Sequence, residues 1–269
     1  MSFFTNRKKQ SITTANFFLS LGVQKQELIA LHLHNTPEYL ICWLALAQIG
    51  AVSVPLNEHY RLEESSYILK KCEIHRIITE SITLEMYTQN RDALGLTTII
   101  ATDAPASCDV WALYPCIAKM PDTLTEQRMV DTLDMAVILF TSGTTRHPKG
   151  AVYTHCNVVY GGLLHSAQMG MAEGDRFLSS MPCYHMDFQE MAAMPVICCG
   201  GTLIMVEHYS ARRFWKQVCT HKAHFTDTMS IMNRTMLLQP EGAWEKEHCL
   251  KQIYFSMGLS NEEKERFES

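Results

Sequence analysis

Ten consecutive residues, Thr141-Ser142-Gly143-Thr144-Thr145-Arg146-His147-Pro148-Lys149-Gly150, hold the densest chemistry of the chain. Four hydroxyls in five positions, with Gly143 among them, make a close array of oxygen and backbone N–H donors. Gly143 lets the backbone approach a ligand and permits positive φ. Pro148 stiffens the return, and Lys149 supplies a compact positive charge for phosphate oxygens. Such an array suits a polyphosphate. It is not a Walker A loop, because its lysine follows a proline and precedes a glycine, and the chain has no G-x-G-x-x-G string. A Ser/Thr/Gly turn is by composition more often only a turn, so the order of the ten residues carries the argument.

An array of this kind needs elements that hold both of its ends. It follows an apolar run, Met135–Phe140, that reads as a buried strand, and it precedes an extended segment, Ala151–Tyr153. Further strands are expected at Glu27–His34, Ala51–Pro55, Ile74–Thr79 and Thr97–Ala101, and then at Phe177–Ser180, Thr202–Val206, Ala223–Thr226 and Gln252–Phe255. Helical periodicity fills the intervals at Pro37–Ile49, Leu62–Cys72, Thr83–Leu94, Asn157–Met169, Met186–Cys198, Ala211–Thr220 and Ser230–Leu238. Strands separated by helices form βαβ units and mostly parallel sheet, so the fold class is α/β. Residues 102–133, with Pro105, Pro115 and Pro121, read as an irregular connection. The expected division is a first α/β subdomain with its connection over 1–133 and a second over 134–269 that carries the loop. Ligands of such folds bind at the carboxyl ends of strands, which is where Thr141 falls.

Composition narrows the function classes. The 269 residues are 47% apolar and 19% charged, which is globular and not disordered. A net charge of −5 argues against a nucleic-acid coat or a basic membrane-surface protein. The densest apolar stretch, Tyr39–Ala47, is far short of the roughly 20 residues of a membrane span. Arg7, Lys8 and Lys9 are not followed by an apolar run, since Ser11, Thr13, Thr14 and Asn16 interrupt it, so no secretory signal is read. Ten cysteines without a C-x-x-C pair, several inside apolar runs, point to a reducing cytoplasm. Cys219, His221 and His224 form C-x-H-x-x-H, but without a second cluster they read as a helix end and a strand start. His32 and His34 read as strand-face histidines.

The ten-residue string resembles the phosphate loop of the adenylate-forming superfamily, T-S-G-[ST]-T-G-x-P-K-G, which includes acyl-CoA synthetases, luciferases and peptide-synthetase adenylation domains. Nine of ten positions agree, with Arg146 where glycine is usual. Leu46–Asn57 (LAQIGAVSVPLN) and Met181–His185 (MPCYH) are similar to two further segments of that superfamily. Within it the chain most resembles the crotonobetaine/carnitine–CoA ligases, through Ala30–Trp43, Met181–Gln189 and Val206–Trp215.

The resemblance implies two stacked parallel-sheet βαβ subdomains, as in the large N-terminal domain of these enzymes. It implies ATP-dependent activation of a carboxylic acid (carnitine, crotonobetaine or a similar betaine) to an acyl-adenylate and then to its CoA thioester. ATP, Mg2+ and CoA are the implied cofactors and substrates. Thr141, Ser142, Gly143, Thr144, Thr145 and Lys149 would hold the phosphates, with the Thr144 hydroxyl on Mg2+. Arg146 either adds a second cation or points into solvent. His185 would be catalytic, and Tyr184, His185 and Asp187 would line the acyl pocket. A quaternary ammonium takes no hydrogen bond, so it needs an aromatic face or a carboxylate. Asp187 either faces that group or is a charge at a helix N-terminus. The superfamily's adenine-binding Y-G-x-[TS]-E string and lysine-bearing C-terminal domain do not occur in these 269 residues. The chain is therefore read as a truncated large domain, expected not to make acyl-CoA alone. Another short-chain acyl-CoA synthetase and a non-catalytic remnant are the alternatives. A small carboxylic acid is the expected partner, without nucleic acid or membrane, and the oligomeric state stays open.

Overall fold

Short runs of Ile, Val and Leu are too brief to bury a helix face, and they become strands. The computed structural model describes residues 3–141, 148–240, 242, 244, 246–256 and 258–268. Its internal packing falls into two units, Met1–Asn157 and Val158–Ser269.

The first unit contains β1 (Leu28–His32), β2 (Val52–Pro55), β3 (Arg76–Thr79), β4 (Thr98–Ala101), β5 (Trp111–Ala112), β6 (Met135–Thr141) and β7 (Lys149–Thr154). Among the described residues they form one sheet in the order β5-β4-β3-β1-β2-β6-β7. All neighbours are parallel except β6 and β7, which pair antiparallel. Every residue of β2 and β4 is buried, as expected of strands covered on both faces. The helices are α1 (Phe3–Ser20), α2 (Pro37–Gln48), α3 (Leu62–Lys71), α4 (Ser81–Gln89), α5 (Arg91–Leu94) and α6 (Leu113–Ile117), and α7 (His155–Met169) begins at this unit's end. Pro37 opens α2 at its first turn, where no N–H is needed. At α3 the Glu64 carboxylate accepts the Arg61 N–H at 3.1 Å, and Lys70 and Lys71 stand in the last turn.

Two features of this unit depart from the sequence expectation. The N-terminal residues, for which no element is expected from sequence, form α1. Ser11 and Thr13 donate to the carbonyls of Lys8 and Gln10 at 2.9 and 3.0 Å. Buried Asn16 donates to Pro121 O and Thr123 O and accepts from Thr125 N at 2.8–2.9 Å. Asn16 thus ties the supposed connection to α1, and that segment also supplies β5 and α6. The packing of the first unit also runs on to Asn157, past the expected division at 133/134. Strand β6 finds its partner in β2, with Ser53 opposite Val137, so the loop-bearing hairpin completes the first sheet.

The second unit holds a parallel sheet in the order β11-β10-β8-β9, formed by β8 (Arg176–Ser179), β9 (Thr202–Met205), β10 (Phe225–Met229) and β11 (Gln252–Ser256). Its helices beyond α7 are a π-helix (Asp187–Ala193), α8 (Met194–Cys199), α9 (Phe214–Thr220), α10 (Ser230–Leu237) and α11 (Asn261–Glu268). The expected helix Met186–Cys198 is therefore split into π and α turns. Strand alternation sends Phe177 and Phe225 to a core with Ala192 and Val196, and Leu178 to a core with Phe214, Val218 and Met236. Ahead of the strands, Asp175 Oδ1 accepts from His224 Nδ1 at 2.7 Å and from Lys251 Nζ at 2.5 Å. One buried carboxylate so ties the amino ends of β8, β10 and β11.

Gly150 lies opposite Phe140 in the hairpin, where a Cβ would stand 2.9 Å from Ile138 Cγ2 and 3.2 Å from Phe140 Cζ. The branched Ile138 has little room to give. Gly150→Ala is expected to cost about 1–3 kcal/mol by overpacking. Hydrogen exchange should show faster opening across Met135–Tyr153, with β3 and β4 unchanged.

Candidate active site

Two segments carry the residues singled out by sequence, one in each unit. In the first, β6 ends at Thr141 and β7 begins at Lys149, and these two residues are direct register partners. The ladder therefore closes the string between a threonine hydroxyl and a lysine ammonium. Both side chains are exposed. Because β6 runs parallel to β2, Thr141 stands at the carboxyl edge of the parallel strands, as expected. Ser142, Gly143, Thr144, Thr145 and Arg146 lie outside the described residues.

In the second unit the chain leaves β8 at Ser179 and turns over Met181–His185 before the π-helix. The Ser179 hydroxyl accepts the Met181 N–H at 3.2 Å, and Pro182 O accepts the His185 N–H at 3.0 Å. Buried Gln189 donates its side-chain amide to Cys183 O at 3.1 Å. These bonds fix a turn that leaves the His185 imidazole exposed and Tyr184 half-buried. A π-turn of this kind is common at functional sites, since it re-aims side chains by one position.

Asp187 is the first residue of the π-helix, so its carboxylate does sit at a helix N-terminus. Its Oδ2 also lies 3.4 Å from His185 Nδ1. The Asp187 backbone N–H points at the same nitrogen, again at 3.4 Å. The two contacts exclude each other: a neutral ring can accept from the N–H, and a charged ring donates to the carboxylate. The hydrogen bond from Asp187 raises the His185 pKa above its ordinary value against the opposing effect of burial. Glu190, half-buried on the same helix, has its carboxyl pushed up by burial.

A third carboxyl went unnoticed in the sequence. Asp227 in β10 is 4% exposed, and its Oδ2 accepts the Ser179 hydroxyl at 2.7 Å. Its Oδ1 has no hydrogen-bond partner among the described residues. Burial, with a smaller contribution from the Asp187 charge, pushes its pKa up to about 7. The available signal was an acid placed inside an otherwise strand-like run, Phe225–Met229.

Other candidates separate. Trp215, near Asp187 only along the chain, stacks on His248 at 5.3 Å and packs against the Leu178 core, on the sheet face away from Asp227. Cys219 donates to Trp244 O, His221 caps α9, and His224 binds Asp175, as a helix end and strand start require. Among the described residues no group of three or more His, Cys, Asp or Glu side chains could hold a metal ion. His32 is buried on Tyr87 at 2.6 Å, with its pKa lowered to about 4 by burial, and His34 pairs with Glu80 at 2.6 Å. No described helix is long and apolar enough to cross a membrane.

The pattern of the AMP-binding enzyme family matches residues 6–268. Crotonobetaine/carnitine–CoA ligases of Citrobacter koseri and of Escherichia coli O17:K52:H18 are each 40% identical over 258 residues, covering 94% of this chain and 50% of theirs. The chain thus spans about half the length of the curated relatives it matches. Among solved structures, a benzoate CoA ligase from Burkholderia xenovorans LB400 superposes with a TM-score of 0.88 at 19% identity, over 99% of this chain and 53% of that one. ATP-bound MatB from Rhodopseudomonas palustris superposes with a TM-score of 0.87 at 20% identity, over 98% and 52%. These likenesses bear on the fold, the α/β arrangement of N-terminal domains of adenylate-forming enzymes.

The state of Asp227 has a consequence for stability. An acid whose native pKa is raised holds its proton more tightly folded than unfolded. Its contribution is full below the unfolded value of 3.8 and is lost as pH rises through about 7. Asp227→Asn should flatten this decline in denaturant midpoints measured between pH 4 and pH 8. An equal slope in wild type and variant would contradict the assignment.

Proposed function

The chain belongs to the AMP-binding enzyme family, and from that premise we propose that the whole protein activates a betaine, carnitine or crotonobetaine, as its CoA thioester. The acid's carboxylate oxygen attacks the α-phosphorus of ATP, and the bond to pyrophosphate breaks. The CoA thiol then attacks the acyl carbon, and the bond to AMP breaks. The first step is an in-line displacement, so positioning and charge stabilisation carry most of the catalysis.

The observation that carries this reading is the hairpin register of Thr141 and Lys149 around the hydroxyl-rich string. Pairing at Thr141 and Lys149 fixes the two ends of the string, which lowers the ordering cost that binding must offset. Thr141, Ser142, Gly143, Thr144, Thr145 and Lys149 are assigned to the β- and γ-phosphates, and Lys149 offsets charge on the departing pyrophosphate. The Thr144 hydroxyl is the residue that would hold Mg2+, which would supply further charge neutralisation at the phosphates. His185 and Tyr184 are assigned to the acyl side.

The substrate class rests on the 40% identity to ligases named for crotonobetaine and carnitine, together with the acidic character of the His185 turn. Asp187, half-buried beside His185, is the carboxylate assigned to a trimethylammonium group. It can serve His185 or the substrate cation, so a bound betaine should release the imidazole from it. The ten cysteines, all free thiols, fit the cytoplasm as the place of action.

ATP–pyrophosphate exchange by the intact protein tests the reading. Carnitine and crotonobetaine should drive exchange well above a neutral acid of similar size. Asp187→Asn should lower kcat/KM for carnitine about tenfold, roughly 1.4 kcal/mol, and leave the neutral acid nearly unchanged. Equal losses on both acids would exclude Asp187 from cation recognition. Preference for an uncharged short acid in the wild type would point to another acyl-CoA synthetase activity.

A further inference from the structure

The second unit contains a polar connection that neither substrate binding nor the two chemical steps use. It begins at Asp227 on β10, passes to the Ser179 hydroxyl at the end of β8, and continues to the Met181 N–H at the start of the turn. From there Pro182 O holds the His185 N–H, and Gln189 holds Cys183 O from the π-helix side. Among the described residues, Ser179 at its start and Gln189 in its middle anchor the turn that carries His185.

Packing alone does not call for an acid at position 227. Phe225, on the same face of the same strand, lies in an apolar core with Phe177, Ala192 and Val196. A carboxyl there makes one bond, to Ser179, and leaves Oδ1 without a partner among the described residues. Burying a polar group under those terms is costly, so its single bond is what distinguishes it from an apolar residue. We propose that Asp227 is a positioning residue for His185: through Ser179 it fixes the backbone of Met181, and with it the turn that presents the imidazole to Asp187. The ionisable groups around this connection are Asp187 and Glu190 of the π-helix, His185 of the turn and Tyr254, the register partner of Asp227 on β11. The inference rests on the acyl-side assignment of His185 for its functional meaning, but its test needs no turnover.

The test is the titration of His185, followed by NMR on ring-labelled histidine in the intact protein. Ser179→Ala removes the link without touching Asp187. The His185 midpoint should then fall back toward the ordinary imidazole value of about 6.5, because its contact with Asp187 loosens. Asp227→Ala should do the same. Asp227→Asn, whose amide oxygen still accepts from Ser179, should keep the midpoint raised. A folded Ser179→Ala variant with an unchanged His185 midpoint would overturn the proposal. So would a drop in Asp227→Asn as large as that in Asp227→Ala. If Asp227→Ala does not fold, the other two variants decide. Failure of the wild type to activate betaines would overturn the substrate reading and leave this titration as an independent result.

Discussion

One antiparallel pairing, β6 with β7, sets the geometry on which the first unit's chemistry depends. The rest of that sheet is parallel, and a parallel strand releases its chain at the carboxyl end to cross over through a helix. At β6 the chain instead returns along the edge of the strand it has just left. That return makes register partners of Thr141 and Lys149, the two ends of the polar string, at the sheet's carboxyl edge. The return is possible because Gly150 passes Ile138 and Phe140 closer than any side chain would allow. A steric condition at one glycine thus governs where the lysine charge stands.

The second unit solves a different problem by different means. Among the described residues, side chains hold its turn: the Ser179 hydroxyl, the Gln189 amide and, behind them, Asp227. Close packing supports the π-helix from the other side. A Cβ on Gly162 of α7 would lie 2.7 Å from Met194 Cβ, so α7 and α8 meet almost backbone to backbone. Of the three carboxyls Asp187, Glu190 and Asp227, Asp187 is the one that meets His185, at 3.4 Å. Asp187 raises the His185 pKa against burial, burial alone raises that of Glu190, and burial with a smaller push from the Asp187 charge raises that of Asp227.

Much of this was legible in the sequence because it is written in local patterns. The strand at Met135, the helix opening at Pro37 and the charged ends of α3 lie within two residues of their expected bounds. The loop string and the Met181–His185 segment could be recognised as ordered motifs. What escaped depends on contacts far apart in sequence. No element was expected before Glu27, and α1 rests on hydroxyls bonded to carbonyls three residues back and on Asn16 bonded to the 121–125 segment. The boundary at 133/134 followed from proline content, whereas the packing of the first unit extends to Asn157 through the pairing of β6 with β2. Asp227 was silent because burial, which gives it its character, is a property of the packed sheet and not of the residues beside it.

Amide hydrogen exchange with and without ATP and Mg2+ tests the central claim most directly. The account predicts slowed exchange across Thr141–Gly150 on nucleotide binding in the wild type, and loss of that slowing in Lys149→Ala. ATP binding that leaves the amides of this loop unaffected, with slowing only elsewhere in the chain, would contradict it.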